Sequence, residues 1–266
     1  GLKRLWLILS VAVNMAVLLV FIRSGHSSYD VTSIFTGKGA MLKLFPVWGA
    51  GVFTLHGISY CMDIYRKEIE PEKNFLLVSQ YICFFPCFSC GPILRFSDIS
   101  EQLRKPVITS GKLAEGIKLM LIGFAEKLFL SDPMYEMWQH IRGVSTDSLS
   151  AACAWLGIIA FSFAFYYELR AYSHIAQGIG SMLGFELPDN FDLPFMSAGF
   201  NELIKRFACT FYSWVRDYFY RPICRNKDSV CLWALILSVL AGSVWYGYGR
   251  HTMLWAAFIC VMLGIE

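Results

Sequence analysis

Apolar runs long enough to cross a bilayer alternate with short polar stretches along nearly the whole chain. A spanning helix needs about 20 mainly apolar residues. Residues 5–22 meet that length with Asn14 as the one interruption, and Lys3 and Arg4 stand just before them. The positive-inside tendency assigns that end to the cytoplasm, and the polar, Gly-containing stretch 24–38 is predicted to be an outer loop. A second run covers 44–60, and the charged stretch 63–74 after it, ending in E-P-E-K-N, is predicted as a solvated turn. The third run, 75–94, contains Pro86, Gly91 and Pro92. Breakers at membrane depth are tolerated only where protein or a water-filled cavity satisfies the freed backbone groups, so this segment is predicted to be a re-entrant or broken helix.

A polar, basic stretch at 95–112 separates that segment from a shorter apolar helix at 116–130, which carries Glu126 and Lys127. Residues 149–167 form a clear span, followed at once by Glu168 and Arg170. The small-residue segment 172–185, with Gly178, Gly180 and Gly184, suits close helix packing. From 188 to 227 six basic residues (Lys205, Arg206, Arg216, Arg221, Arg225 and Lys227) are mixed with Phe207, Phe211, Trp214, Tyr218 and Phe219. That mixture predicts a helix at the cytoplasmic interface, either anchoring the chain or cradling an anion. Two apolar helices, 230–245 and 252–265, complete the pattern. No repeat or domain boundary appears, so residues 1–266 form one membrane domain. Its fold class is all-α, a polytopic transmembrane bundle of about six to eight segments by the length rule. A start at Gly1 and a stop at Glu266 after an apolar run suggest a piece of a longer protein.

Composition strengthens this picture. The chain is 56% hydrophobic and 16% charged, against about 25% charged for a soluble domain. A net charge of +3 with no basic stripe gives no nucleic-acid partner,. The nine cysteines lie mostly in apolar runs. Cys83, Cys87 and Cys90 would share one helix face, and without a second pair or nearby His they are membrane packing and no metal site.

Several ordered strings carry a resemblance. They are I-S-Y-C-M-D-I-Y-R at 58–66, F-F-P at 84–86, G-P-I-L-R at 91–95, A-Y-S-H-I-A-Q-G at 171–178, P-D-N-F at 188–191 and S-W-V-R-D-Y-F-Y-R-P at 213–222. With Trp245 and Trp255 they resemble the membrane-bound O-acyltransferases, most closely the alginate O-acetyltransferase type. The resemblance implies helices around a central tunnel and an acetyl group moved onto a hydroxyl of an extracellular or cell-envelope polysaccharide. It further implies residence in the bacterial cytoplasmic (inner) membrane and an acyl donor such as acetyl-CoA or an acyl carrier, with no tightly bound cofactor. The expected partners are the lipid bilayer, the polysaccharide acceptor and other proteins of an envelope acetylation system.

The polar centre departs from that pattern. Where the family has W-H-G with its catalytic His, this chain has Trp245, Tyr246 and Gly247. A family R-R-W-H string falls on Lys205–Ala208, and D-F-S-G-Y-S-D has become E-L-R-A-Y-S-H at 168–174. A Tyr with an ordinary pKa near 10 is a poor base at neutral pH, although it can donate a hydrogen bond to an oxyanion. The candidate catalytic residues are therefore Tyr246, His174 and His251, with His174 read either as a relocated general base or as a buried hydrogen-bonding residue. His251 lies about 140° round a regular helix from Tyr246. His26 and His140 fall in polar loops and are expected to be solvated, while His56 stands where the family has Gln. Glu168 and Arg170 are expected to pair with each other, or to orient His174. Arg95, Arg216, Asp217 and Trp245 are the candidate donor-binding residues, because Arg suits anionic oxygens; the alternative for Arg95, Arg216 and Asp217, and the expectation for Asp63 and Arg66, is pairing at helix ends that fixes the bundle. A silent relative, acting as a scaffold or partner-binding subunit, is the alternative to an active transferase.

Overall fold

The computed structural model describes residues 2–21, 50–88, 90–145, 148–224, 232–246 and 250–266. Residues 2–3, 17–21, 50, 232, 244–246 and 250–251 are described by their backbone alone. The outer loop expected at 24–38, with His26, lies outside the described residues. All regular structure among the described residues is helical. The helices are α1 (Leu2–Phe21), α2 (Ala50–Arg66), α3 (Phe75–Ile82), α4 (Phe96–Arg104), α5 (Ser110–Ala125), α6 (Asp132–Arg142), α7 (Ala151–Met182), α8 (Phe200–Phe207), α9 (Cys209–Val215), α10 (Arg221–Ile223), α11 (Leu232–Tyr246) and α12 (Arg250–Ile265).

The centrepiece is an antiparallel hairpin of α5 and α6 against α7. Small residues let the backbones touch. A methyl group on Gly116 would sit 2.6 Å from the Gly178 carbonyl oxygen, and one on Gly123 would sit 2.6 Å from that of Ala171. Helix α7 is 32 residues long, about 48 Å at 1.5 Å per residue. It is the one described helix long and apolar enough to cross a membrane. The sequence pattern splits it into a span and a separate small-residue segment, because charge begins at Glu168. The structure corrects this: the helix runs unbroken from Ala151 to Met182, so Glu168, Arg170 and His174 stand on the same helix as the apolar run.

Helices α5 and α6 also run on as one rod, longer than the expected 116–130, through a π-helical turn at Glu126–Ser131. A second π-helical turn, Arg216–Tyr220, joins α9 to α10. Each wide turn ends one residue before an X-Pro step, Asp132-Pro133 and Arg221-Pro222. Proline has no N–H for the helical ladder, and its ring crowds the carbonyl four residues back, which accounts for local widening there. Each turn carries a buried carboxylate, Glu126 in one and Asp217 in the other.

Segment 75–94 is broken, as its prolines and glycines predict. Helix α3 ends at Ile82 and a single 3₁₀ turn, Phe85–Cys87, follows. Protein side chains satisfy the freed backbone groups. The Ile93 N–H donates to Thr210 Oγ1 at 3.0 Å, the Leu94 N–H donates to His56 Nε2 at 3.3 Å, and the Leu94 carbonyl accepts from Tyr81 Oη at 3.0 Å. Tyr81 and His56 are both fully buried and stacked 4.9 Å apart, so the break is built into the core. Because the helix stops at Ile82, Cys83, Cys87 and Cys90 share no helix face, and that expectation is corrected.

Three further boundaries move. Helix α2 runs to Arg66, so Asp63 is helical and the turn starts later than 63. The polar stretch after Arg95 hides the amphipathic helix α4. The interfacial helix expected at 188–227 is several short pieces, interrupted at Ala208. His140 is exposed, as expected, yet stands on the last turn of α6.

Candidate active site

Two polar networks stand out, each centred on the carboxylate of a π-helical turn. In the first, Asp217 is buried and Arg216, the residue before it, donates Nε–H to Oδ1 at 2.9 Å. Arg221, one turn on, places Nη1 3.0 Å from the same oxygen, and Arg95 donates to Oδ2. Arg66 donates to the Asp217 carbonyl oxygen at 2.9 Å. The guanidiniums of Arg66 and Arg95 lie 5.3 and 5.8 Å from the centre of the Tyr218 ring, whose hydroxyl donates to Asp63 at 2.8 Å. Three guanidiniums thus share the Asp217 carboxylate and a fourth takes its backbone carbonyl. With Asp63 and Glu68, which lies 3.9 Å from Arg66, counted in, four cations face three carboxylates and the excess is positive. The Arg95 and Arg216 side chains are 32% and 40% exposed, so both remain within reach of an anion. Burial pushes the Asp217 carboxyl up, but hydrogen bonds from Arg216 and Arg95 outweigh it and hold it below its ordinary range,.

The second network lies between the other π-helical turn and α7. Glu126 Oε2 is 2.8 Å from His174 Nδ1, and Glu126 Oε1 is 3.4 Å from Arg170 Nε. Lys127 pairs with Asp132 and lies 3.4 Å from Glu168 Oε1. The expected Glu168–Arg170 pair does not form, since residues two apart on a helix point in different directions. Each finds a partner across the hairpin instead. Arg170 and His174, four apart on one face, meet at Glu126. An imidazole held by a carboxylate through Nδ1 keeps its ring orientation fixed, the arrangement that suits a histidine to proton transfer.

The structure therefore brings Arg95, Arg216 and Asp217 together and sets His174 in a separate network. Chain geometry bounds the gap between them. A methyl group on Gly91 would lie 3.0 Å from the Ala176 side chain, two residues past His174. Arg95 is four residues beyond Gly91, at most about 14 Å of chain. Tyr246 and Trp245 close α11, and His251 is in the first turn of α12; their side chains lie outside the described residues. Sequence reasoning passed over Glu126 as a partner of His174 and Arg221 as a partner of Asp217. The signal available was an acidic residue a turn or two before an X-Pro step.

The sequence model of the membrane-bound O-acyltransferase family matches residues 66–266. The chain is 30% identical over 268 residues to the probable alginate O-acetylase AlgI of Pseudomonas aeruginosa, covering 98% of this chain and 51% of that protein. It is 25% identical to a peptidoglycan O-acetyltransferase of Helicobacter pylori, covering 99% of this chain and 55% of the relative. It is 22% identical to a teichoic acid D-alanyltransferase of Streptococcus thermophilus, covering 81% and 55% respectively. The chain spans about half the length of these curated relatives.

Proposed function

The chain belongs to the membrane-bound O-acyltransferase family, and on that premise we propose that it transfers an acetyl group to a hydroxyl of a cell-envelope polysaccharide. The observation that carries this reading is the Arg95–Asp217–Arg216 cluster, in which half-exposed guanidiniums are held in place by one buried carboxylate. Such a cluster binds phosphate oxygens without collapsing onto them, and acetyl-CoA and acyl-carrier donors both present phosphate. The relatives are transferases by name, and none supports a silent scaffold.

In this reading the acceptor oxygen attacks the thioester carbonyl, the base takes its proton, and the departing thiolate recovers that proton as the ester forms. His174 is assigned the part of base, with Glu126 holding its ring. Tyr246 and Trp245, on the family's W-H-G motif, are assigned to the carbonyl side, where a hydroxyl can donate to the oxyanion. His251 is left without a role. The wider setting is a polytopic bundle around a tunnel in the bacterial inner membrane. Donor arrives from the cytoplasm, the polysaccharide lies outside, and partner proteins carry the acetyl group onward.

The test is acetyl transfer from radiolabelled acetyl-CoA by the full-length protein, beside His174→Ala and Tyr246→His. Turnover by the parent that falls about 100-fold or more in His174→Ala supports the assignment. Turnover in Tyr246→His alone would show that the parent chain is silent.

A further inference from the structure

Tyr218 stands in the middle of the basic cluster without carrying charge itself. It belongs to the second π-helical turn and is buried. Its ring packs against Trp214, 5.2 Å between centres, and shares a core cluster with Leu55 and Ile58 of α2. Its hydroxyl lies 2.8 Å from both oxygens of Asp63, which is also buried. A buried carboxylate needs such a donor. The phenol is therefore pinned at both ends, by apolar packing along its body and by a charge-assisted hydrogen bond at its tip.

Two guanidiniums rest on this fixed ring. Arg66 lies 5.3 Å and Arg95 5.8 Å from its centre, inside the cation–π range of about 6 Å. Both are also tied to the residue before it, Arg95 to the Asp217 carboxylate and Arg66 to the Asp217 carbonyl oxygen at 2.9 Å. The sequence explains the second tie. In the π-helical turn the Arg221 N–H bonds the Arg216 carbonyl, and the same register would pair the Asp217 carbonyl with residue 222. That residue is Pro222, which has no N–H to give. Arg66 supplies the missing donor. The Arg66 and Arg95 side chains still keep 26% and 32% of their surface exposed, and a guanidinium has donors to spare for a ligand.

We infer that Tyr218, anchored by Asp63, is the positioning residue of the donor-phosphate site, holding Arg66 and Arg95 where phosphate oxygens meet them. This rests on the transferase reading for its ligand. It adds Arg66, with the Asp63–Tyr218 pair behind it, to the residues that hold the donor. The physical gain is preorganisation: freezing a long arginine side chain at the moment of binding weakens affinity several-fold, and here the folded protein has already frozen two. A rival cause predicts the opposite sign. Were Asp63 acting through its charge alone, removing that charge would strengthen anion binding whether or not the phenol stayed anchored.

The experiment measures CoA binding to the full-length protein in nanodiscs, beside melting midpoints. Asp63→Leu combined with Tyr218→Phe deletes the anchor and strands no buried partner, so the fold is kept. That double variant should bind CoA about tenfold more weakly than the parent. Asp63→Asn keeps an oxygen that accepts from the phenol and removes the charge. It should bind CoA as tightly as the parent, or up to about threefold more tightly. Both should melt within about 4 °C of the parent. Equal CoA affinity in the parent and the double variant overturns the positioning role, even where the variant has lost stability. So do weaker binding by Asp63→Asn, tighter binding by both variants, and a parent that binds no CoA. The expected binding pattern without acetyl transfer overturns the transferase reading and leaves the positioning role standing. Acetyl transfer without that pattern does the reverse.

Discussion

Asp217 takes side-chain bonds from Arg95, Arg216 and Arg221 while its carbonyl holds Arg66, so one acidic residue organises the basic cluster. Removing it strands several cations around a low-dielectric pocket. Asp217→Asn is expected to cost about 2 kcal/mol of stability at neutral pH, read from thermal or chemical melts. Because the folded carboxyl is held below its ordinary value of 3.8, its contribution is present above that pH and fades as the pH falls through the folded value. The gap between parent and variant should therefore begin to narrow at about pH 4 and close only once the pH is below the folded value. At Glu126 the expected effect is kinetic. Glu126→Gln keeps the shape of the side chain but withdraws the charge that holds His174 and Arg170, and acetyl transfer should fall about 100-fold with Km little changed. At this scale the sequence was partly legible. His174, Arg95, Arg216 and Asp217 could be singled out as residues. Their partners could not, because Glu126 and His174 are 48 positions apart and Arg95 and Asp217 are 122.

Helix packing and helix breaking decide the element scale. Gly178 lies against α5 so closely that an added methyl would sit 2.6 Å from the Gly116 carbonyl oxygen. Gly178→Ala is expected to destabilise by about 1–3 kcal/mol. Gly111→Ala meets nothing nearer than 3.9 Å, and should be neutral or stabilising by up to about 1 kcal/mol. The same melt compares both variants. Pro133 supplies the second element-level prediction. If Pro133 is what widens the Glu126–Ser131 turn, Pro133→Ala lets that turn relax to an ordinary α-helix and swings Glu126 away from His174. Transfer should drop while helical content by circular dichroism stays constant. Element existence was legible wherever an apolar run stood between breakers. Helix α4 and the length of α7 were not, because an amphipathic helix in a basic stretch and a charged half-helix both look like solvated loop in a hydropathy profile.

At the scale of the whole molecule, the charge pattern predicts which face of the membrane holds the basic cluster. Arg66, Arg95, Arg104, Arg216 and Arg221 belong to neighbouring elements, and the positive-inside tendency places such a group on the cytoplasmic side. A lone cysteine introduced by Lys105→Cys, in a background with the native cysteines replaced, should react with a membrane-impermeant maleimide in inverted vesicles and stay unlabelled in intact cells. Labelling from outside would reverse the topology and put the arginines on the wrong side for a cytoplasmic donor.

Family and helical class were determined by the sequence alone, because ordered local strings and apolar run lengths are properties of neighbouring residues. So was the break in segment 75–94, where Pro86, Gly91 and Pro92 leave no continuous helical ladder. The tertiary structure alone decided that two π-helical turns present their carboxylates to α7 and to the arginines. It also decided that Glu168 meets Lys127 and Arg170 meets Glu126 across the hairpin, and that the buried Trp214 N–H has no acceptor. Each of these depends on which distant surfaces come into contact, and a linear pattern records only what lies within a turn or two of each residue.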